Sequence, residues 1–237
     1  MSERNRWSYF KNICRRSSRH RLASLLLAAV FMMTGTMTSS AGPAGSSQTP
    51  VQSGELRGVW ISYLDWNKWP KDYNGFRQAV DLAMDTCAAN GMNAVFVQVR
   101  PDGDAMYPSK YFPWSKFASG QQGKDPGYDP LAYVVQSAHA RGLKVHAWVN
   151  PFRITGYLNR YSDLCSTNPA VVWANDGDPA NDRWVLLHQG EYYYNPAIPQ
   201  VRQMVIDGVR EIVEGYDVDG IHSVSYTHLT LPTTPYV

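Results

Sequence analysis

Cysteine is scarce in this chain, and several short motifs that mark enzyme classes are missing from it. The 237 residues include 3 cysteines, and no Cys-x-x-Cys or His-Glu-x-x-His arrangement is present to hold a transition metal. The sequence also lacks a Gly-x-Ser-x-Gly elbow, a phosphate-binding loop and a Gly-x-Gly-x-x-Gly turn after its first predicted strand. We therefore predict neither a metal nor any other cofactor, and nothing points to a serine esterase or a dinucleotide-binding protein.

A marked excess of either charge is missing too. The chain has 22 Lys and Arg against 20 Asp and Glu, and much of the positive balance lies in Arg15, Arg16, Arg19 and Arg21. The remaining sequence is close to neutral, so no nucleic-acid partner is predicted. With 44% hydrophobic and 18% charged residues, the composition is that of a globular domain with one sizeable core.

Residues 1–41 have the layout of an export signal. Basic residues come first, an apolar run follows from Leu22 to Met33, and Ser39–Ala41 supplies small residues for cleavage. We predict a signal peptide over 1–41, with an uncleaved N-terminal anchor as the alternative, and a secreted or cell-envelope location. This segment is the only predicted contact with a membrane. A flexible linker rich in Gly, Pro, Ser and Gln is predicted over 42–53.

Two cysteines lie beyond this predicted signal. Export would place Cys87 and Cys165 in an oxidising compartment, where a disulfide between them could form. Cys87 also falls on the apolar side of a predicted helix, which favours a buried thiol instead. The sequence leaves both alternatives open.

The C-terminal residues can be encoded by a DNA sequence that does not come from a natural gene. One codon choice for Val224–Thr233 reproduces a transposase-type adapter that is used to build sequencing libraries. We therefore expect the natural gene to break off near Ser223, with 224–237 as a non-native tail. The folded domain is predicted over 54–223, as the front part of a larger protein.

Strand and helix patterns alternate through this domain. Helical stripes of apolar residues separate four runs that are typical of strands, namely Leu56–Tyr63, Asn93–Val99, Leu143–Val149 and Val218–His222. Repeated β/α units of this kind predict an α/β fold with a parallel sheet. We expect the N-terminal half of a (β/α)8 TIM barrel, truncated after about four units, with an open doubly wound sheet as the alternative.

Polar side chains follow the predicted strands, and two connections are long. Asp65 comes after the first strand, Arg100 after the second, and Asn150 and Arg153 after the third. A barrel of this type builds its active site at the carboxyl ends of the strands. The connections 101–129 and 152–198 are rich in aromatic residues, and the second contains a predicted hairpin, so we expect both to shape a functional rim.

Five ordered motifs resemble the bacterial glycosyl hydrolase-like 10 family. They are Leu56–Ile61, Val97–Tyr107, His146–Arg153, Tyr194–Pro196 and Val218–His222. The resemblance implies a TIM-barrel glycosidase-like fold in an exported or envelope protein, with peptidoglycan glycan strands or a related polysaccharide as substrate. Family members continue the last motif with an acidic pair, whereas Ser223 follows His222 here. We therefore expect the parent protein to be a glycoside hydrolase and this chain by itself to be inactive.

Glycoside hydrolysis generally requires two carboxyl groups, one as acid and one as base or nucleophile. We predict Asp65, Asp104 and His222 as catalytic residues, together with a carboxyl encoded beyond the break. A local cap is the alternative for Asp65, and a contact to substrate or a loop-organising role is the alternative for Asp104. A calcium site at Asp102–Asp104 is not favoured, since further acidic ligands at suitable spacing are missing.

The predicted substrate-binding residues are Trp66, Arg100, His146, Trp148, Asn150 and Arg153. For Arg100, a structural ion pair is the alternative, and for His146 a core histidine. The alternative function is a non-catalytic, glycan-binding envelope protein on the same scaffold, because a fold does not by itself confer activity. An adhesion module that uses the aromatic loops is a third interpretation.

Overall fold

The structure, a computed structural model, describes residues 54–156 and 160–224. The predicted signal peptide, the linker and most of the predicted tail lie outside these residues. The described strands are β1 (Gly58–Ile61), β2 (Ala94–Arg100), β3 (Lys144–Val149), β4 (Val185–His188), β5 (Glu191–Tyr194) and β6 (Gly220–Ser223). The described α-helices are α1 (Tyr63–Trp66), α2 (Tyr73–Ala89), α3 (Lys116–Ser119), α4 (Pro130–His139), α5 (Pro169–Asn175) and α6 (Pro199–Gly215).

Four strands form one parallel sheet in the order β1-β2-β3-β6. Each strand lies beside the next strand of the sheet in the chain, and the order does not reverse as it does in a doubly wound sheet. This confirms the predicted α/β fold, and it is the arrangement of one half of a (β/α)8 barrel. That the gene is truncated remains a prediction.

The helices begin where the sequence offers caps. The side chains of Asp72 and Asp129 accept hydrogen bonds from backbone N–H groups in the first turns of α2 and α4. Pro199 opens α6 at a position where its missing N–H costs nothing. The predicted apolar stripes are confirmed, since the buried residues of α2, α4 and α6 include Phe76, Val80, Met84, Cys87, Leu131, Val134, Val135, Ala138, Val201, Val205, Gly208 and Ile212.

The two faces of the parallel sheet differ, because successive strand residues point to opposite sides. Val95, Val97, Val145 and Ala147 belong to one apolar core with the inner faces of α2, α4 and α6. The opposite face carries a stack of rings from all four strands: Trp60, Phe96, His146, Trp148 and His222. In a barrel this second face is the interior.

The predicted hairpin is present as the antiparallel pair β4–β5. Gln189 and Gly190 join the strands, and both have positive φ, as a tight hairpin turn requires. The hairpin is attached to the connection after β3, because Tyr194 N donates to Phe152 O at 2.7 Å and Ile154 N donates to Tyr192 O at 2.9 Å. The hairpin therefore lies beside the carboxyl end of β3.

Cys87 and Cys165 are not bonded to each other in the structure. Cys87 is one of the buried residues of α2, and burial raises the pKa of its thiol. Of the two alternatives left open by the sequence, the buried thiol is confirmed. Within 54–156 and 160–224, no helix has the length and apolar content to span a bilayer.

Candidate active site

Two buried amide side chains connect the carboxyl ends of all four parallel strands. Gln98 Oε1 accepts a hydrogen bond from Tyr63 N at 2.8 Å, and Gln98 Nε2 donates to Asn150 Oδ1 at 2.6 Å. Asn150 Nδ2 in turn donates to Val224 O at 3.0 Å. Tyr63 follows β1 and Val224 follows β6, so the chain of hydrogen bonds runs across the whole edge of the sheet. We call Tyr63, Gln98, Asn150 and Val224 the amide relay.

Asn150 was predicted to bind substrate, and in the structure its side chain contacts other protein groups, so binding to substrate stays a prediction. The residue is 2% exposed, and both the oxygen and the nitrogen of its side-chain amide form hydrogen bonds to protein groups. Gln98 was missed by the sequence analysis. Its signal was visible, however, because it is the single polar residue between the apolar residues of Ala94–Val99.

A buried ion pair joins the connections that follow β2 and β3. Arg153 Nε lies 3.2 Å from Asp102 Oδ1, with side-chain exposures of 10% and 4%, and it also donates to Thr155 O at 3.0 Å. Burial opposes the charge of Arg153, but the nearby carboxylates of Asp102 and Glu191 raise its pKa overall. The arginine predicted to contact substrate therefore holds the rim loops together.

Gly156 makes room for this arginine. A Cβ atom at position 156 would lie 1.5 Å from Arg153 Nη2 and 2.3 Å from its guanidinium carbon. The guanidinium cannot easily move aside, because Asp102 and Thr155 hold it. Glycine at this position is thus a requirement of the ion pair.

Asp104 is completely buried beneath the rim. Its Oδ2 accepts a hydrogen bond from Gln122 Nε2 at 3.0 Å, and Gln122 Oε1 accepts one from Cys165 N at 2.9 Å. Burial, followed by the charge of Asp102, raises the pKa of Asp104 to about 7, against the opposing effect of hydrogen bonds from Gln122 and Ser115. Asp104 is therefore partly protonated at neutral pH. Its contacts match the loop-organising alternative, and catalysis stays a prediction.

Arg100 is buried on the helix-facing side of the sheet, and its predicted contact with substrate stays a prediction. The register of β2 against β3 shifts between Gln98 and Arg100, so Arg100 is paired with Val149 on the helix-facing side. Its guanidinium carbon lies 3.7 Å from the centre of the Phe112 ring, and the residue is 0% exposed. A Cβ at Gly208 of α6 would lie 2.9 Å from Arg100 Nη1. Burial lowers the pKa of Arg100, while nearby tyrosines and carboxylates oppose that effect.

Asp65 and Trp66 lie in α1 and not at the end of β1. The carboxylate of Asp65 accepts hydrogen bonds from Ser62 N at 2.9 Å and Ser62 Oγ at 3.1 Å, which is a capping box. These are the contacts of the local-cap alternative. Trp66 is 0% exposed and packs against Trp69 and Phe76 at ring distances of 5.2 and 5.6 Å. The Trp66 ring is therefore enclosed by protein, and its predicted contact with substrate stays a prediction.

His146, Trp148 and His222 lie together on the inner face of the sheet. The His222 ring is 4.9 Å from Trp60 and 5.0 Å from Phe96, and the His146 ring is 4.9 Å from Phe96. Trp148 packs edge-on against Trp60 at 4.9 Å. The structure thus brings these three predicted residues to one face, whereas Asp65, Arg100 and Asp104 lie elsewhere. Their contact with substrate stays a prediction.

A carboxylate that the sequence analysis did not single out lies on the hairpin. Glu191 Oε2 accepts a hydrogen bond from Tyr193 Oη at 2.7 Å. Burial and this contact raise the pKa of Tyr193 to about 12. Arg153 forms a backbone bridge with Tyr193, and its guanidinium lies 5.8 Å from the Tyr63 ring. Glu191, Tyr193, Tyr63 and Arg153 therefore form the partly exposed polar part of the rim.

Within the described ranges, no three His, Cys, Asp or Glu side chains come together as a metal site. The chemistry that these residues can perform is hydrogen bonding to a polar ligand, charge pairing, and proton exchange at Asp104 near neutral pH.

Consecutive parallel β/α units with polar groups at the carboxyl edge define a domain of the (β/α)-barrel class. Within this class, the chain belongs to the glycosyl hydrolase-like 10 family, whose sequence model matches residues 55–233. The resemblance of the five sequence motifs to this family is therefore confirmed. The match extends beyond Ser223, the predicted end of the domain.

Curated relatives cover most of this chain. It is 36% identical over 207 residues to the glycosyl hydrolase YngK of Bacillus subtilis, a match covering 86% of this chain and 38% of the relative. It is 32% identical over 212 residues to the glycosyl hydrolase DigH of Escherichia coli, covering 83% of this chain and 47% of the relative. The chain thus spans less than half the length of these curated relatives.

Solved structures of glycosidases are similar at a lower level. An α-L-fucosidase isoenzyme 2 from Paenibacillus thiaminolyticus is 17% identical with a TM-score of 0.47, covering 70% of this chain and 23% of that one. A maltogenic α-amylase, AmyB, from Thermotoga neapolitana is 14% identical with a TM-score of 0.44, covering 70% of this chain and 38% of that one.

Proposed function

We propose that the chain is part of an exported glycoside hydrolase that acts on cell-wall glycan, either peptidoglycan strands or a related polysaccharide. The observation that carries this proposal is the family match, which spans the whole described domain. The relatives named as glycosyl hydrolases support the reaction class. The predicted signal over 1–41 supports export to the compartment where such a glycan lies.

The proposed mechanism is acid–base hydrolysis by two carboxyl groups. Among the described carboxyls, Asp104 has the proton affinity of a general acid, because a pKa of about 7 leaves a proton on it at neutral pH. Since Asp104 is buried, a glycan reaches it only after the connection 101–129 moves. The second carboxyl is proposed at the end of the fourth parallel strand, where His222 would orient it.

The partly exposed rim would hold the sugar. Tyr63 and Tyr193 are partly exposed aromatic side chains, and the partly exposed Glu191 carboxylate would accept hydrogen bonds from sugar hydroxyls. Aromatic rings pack well on the apolar faces of pyranose rings, and a neighbouring acceptor fixes the orientation of the sugar.

A non-catalytic glycan-binding protein is the second candidate, and one observation favours it. Two polar residues that were predicted to bind substrate are engaged with other protein groups, Arg153 with Asp102 and Asn150 with Gln98. Such a rim can bind a glycan without two carboxyls in position to cleave it.

The test uses peptide-free peptidoglycan strands and chitin oligosaccharides. The 237-residue chain and the product of its genomic continuation are each incubated with these glycans, and new reducing ends and sedimented protein are measured. We expect the longer protein to release reducing ends and its Asp104→Asn variant to lose that activity. Exposed Asp182→Asn is the matched control. If both proteins bind glycan and neither releases reducing ends, the proposed hydrolase function is wrong and the glycan-binding function is supported.

A further inference from the structure

We infer that Gln98 is a positioning residue that sets the spacing of the four strand ends through the amide relay. The kinetic consequence of this inference rests on the proposed hydrolase function, whereas its structural consequence does not. The hydrogen bonds of the relay connect segments that are far apart in the sequence, since Gln98 and Asn150 are separated by 52 positions and Asn150 and Val224 by 74.

The donors and acceptors of the relay can be arranged in only one order. Its first donor is the backbone N–H of Tyr63, and its last acceptor is the backbone carbonyl of residue 224. A flip of the Asn150 amide would place its oxygen against that carbonyl, and a flip of Gln98 would place its NH2 against the Tyr63 N–H. Both amides are therefore fixed in orientation by backbone groups that cannot exchange roles. Because the last acceptor is a carbonyl, any residue at position 224 supplies it.

Water cannot easily replace a broken link in this relay. Gln98 is 0% exposed and Asn150 is 2% exposed, so loss of one partner leaves a buried polar group unsatisfied. The strand ends that these side chains connect must then shift to satisfy the buried group. Asn150 precedes the segment that carries Arg153, and Tyr63 opens α1, so both sides of the partly exposed rim depend on the relay.

This connection predicts an effect on turnover that exceeds the effect on binding. Displacement of catalytic or positioning groups by about 1 Å costs about a hundredfold in rate. A relay that merely filled space would instead tolerate an apolar residue of the same shape without a change in kinetics.

Two nearly isosteric substitutions break different links. The side chain introduced by Gln98→Glu still accepts from Tyr63 N, but it cannot donate to Asn150 Oδ1 once its carboxyl is ionised. Burial at this position raises the pKa of a carboxyl, so this link breaks only as pH rises. Asn150→Asp still accepts from Gln98, but it cannot donate to residue 224. Gln98→Met removes both links of Gln98. The exposed Gln78→Glu on α2 is the matched control for a change from amide to carboxylate.

The first readout is hydrogen exchange of the Tyr63 amide in the 237-residue chain, which requires no activity. We expect protection of this amide to persist in Gln98→Glu and Asn150→Asp and to fall at least about tenfold in Gln98→Met. Unchanged protection of Tyr63 in Gln98→Met would show that the relay does not hold this strand end, and the inference would fail.

The second readout is kinetic and uses the chain with its genomic continuation on peptide-free glycan strands. We expect kcat of Gln98→Glu to fall about a hundredfold at alkaline pH, where the introduced carboxyl is ionised, with KM within about threefold. Relative to the unmodified protein at the same pH, kcat should recover as pH falls, because the introduced carboxyl, once protonated, can again donate to Asn150. Gln98→Met should show no such recovery, and Gln78→Glu should behave as the unmodified protein.

The two readouts separate the inference from the proposed function. Loss of Tyr63 protection in Gln98→Met with unchanged kcat in an active protein would overturn the positioning role. If the unmodified protein cleaves no glycan, the proposed function fails, and the exchange pattern of Tyr63 alone decides whether the relay holds the strand ends.

Discussion

Asp219 Oδ2 lies 3.0 Å from His139 Nε2 and also accepts a hydrogen bond from Val145 N at 2.8 Å. The carboxylate thus connects the end of α4, the strand β3 and the turn that leads into β6. This contact adds to the pairing of β3 with β6 and lies at the amino end of β6, whereas the amide relay lies at the carboxyl ends of the strands.

The Asp219 contact predicts a stability that depends on pH. Burial opposes the ionised form, but the Val145 N–H and His139 outweigh it and lower the pKa of Asp219. A lowered carboxyl pKa stabilises the fold above the pKa of the unfolded chain, and this contribution is lost as pH falls below about 4. We expect Asp219→Asn to reduce the free energy of unfolding by about 1 kcal/mol at pH 7. Urea denaturation from pH 3 to 7 measures it, and a difference that does not shrink in acid would contradict the assignment.

Asp104 predicts the opposite dependence on pH. Its pKa is raised to about 7, so the fold retains a proton that the unfolded chain releases near pH 4. Stability is therefore highest in acid and decreases as pH rises toward 7. We expect Asp104→Asn to remove this decrease and to stabilise the protein at pH 8 by on the order of 1–3 kcal/mol.

The measurement is urea denaturation of both proteins between pH 4 and 8, with exposed Asp182→Asn as control. Parallel pH profiles for the unmodified protein and Asp104→Asn would show that Asp104 is ionised in the fold.

Gly156 is predicted to be intolerant of alanine. A Cβ there overlaps the guanidinium of Arg153, which Asp102 and Thr155 hold in place. Separation of a buried ion pair is strongly unfavourable, so we expect Gly156→Ala to lower the free energy of unfolding by about 2–4 kcal/mol. Gly215→Ala is the control, since a Cβ at that position meets nothing within 4 Å. Equal thermal midpoints for the two variants would contradict the clash.

Arg100 is predicted to act through packing against Phe112 and α6 and not through contact with substrate. Arg100→Ala leaves a cavity and should cost about 3 kcal/mol of stability. Arg100→Met fills the same volume without a buried charge, and we expect it to cost less than about 1.5 kcal/mol. Urea denaturation measures both, with exposed Arg183→Ala as control. If Arg100→Met is as destabilising as Arg100→Ala, the buried charge itself is required.

The residues after Ser223 give a prediction that needs no purified protein. We expect the genomic sequence across codons 215–237 to encode an acidic pair directly after the strand that contains His222. A genomic sequence that encodes residues 224–237 of this chain would remove the predicted second carboxyl and favour the glycan-binding alternative.

Local sequence patterns were sufficient to predict most of the fold. The apolar stripe Phe76–Val80–Met84 has the period of a helix, whereas the short, nearly unbroken apolar run of β2 is rich in β-branched residues, as in a strand that is covered on both faces. The hairpin turn at Gln189–Gly190 was equally readable, because positive φ favours glycine. These signals depend on neighbours in the sequence, so they do not require knowledge of distant contacts.

The environment of each polar side chain was decided by the tertiary structure. A register shift in β2 turned Arg100 into the helix layer, and packing of α1 against α2 buried Trp66. Gln98 and Asn150 meet across 52 positions of sequence, and Arg153 finds Asp102 on a different loop. Local periodicity and ordered motifs were enough to identify the four parallel strands, the hairpin, the three long helices and the family. The short helices α1, α3 and α5 were not identified in this way. Which polar groups face a ligand and which hold the rim together depends on long-range contacts, and only the folded chain brings those partners together.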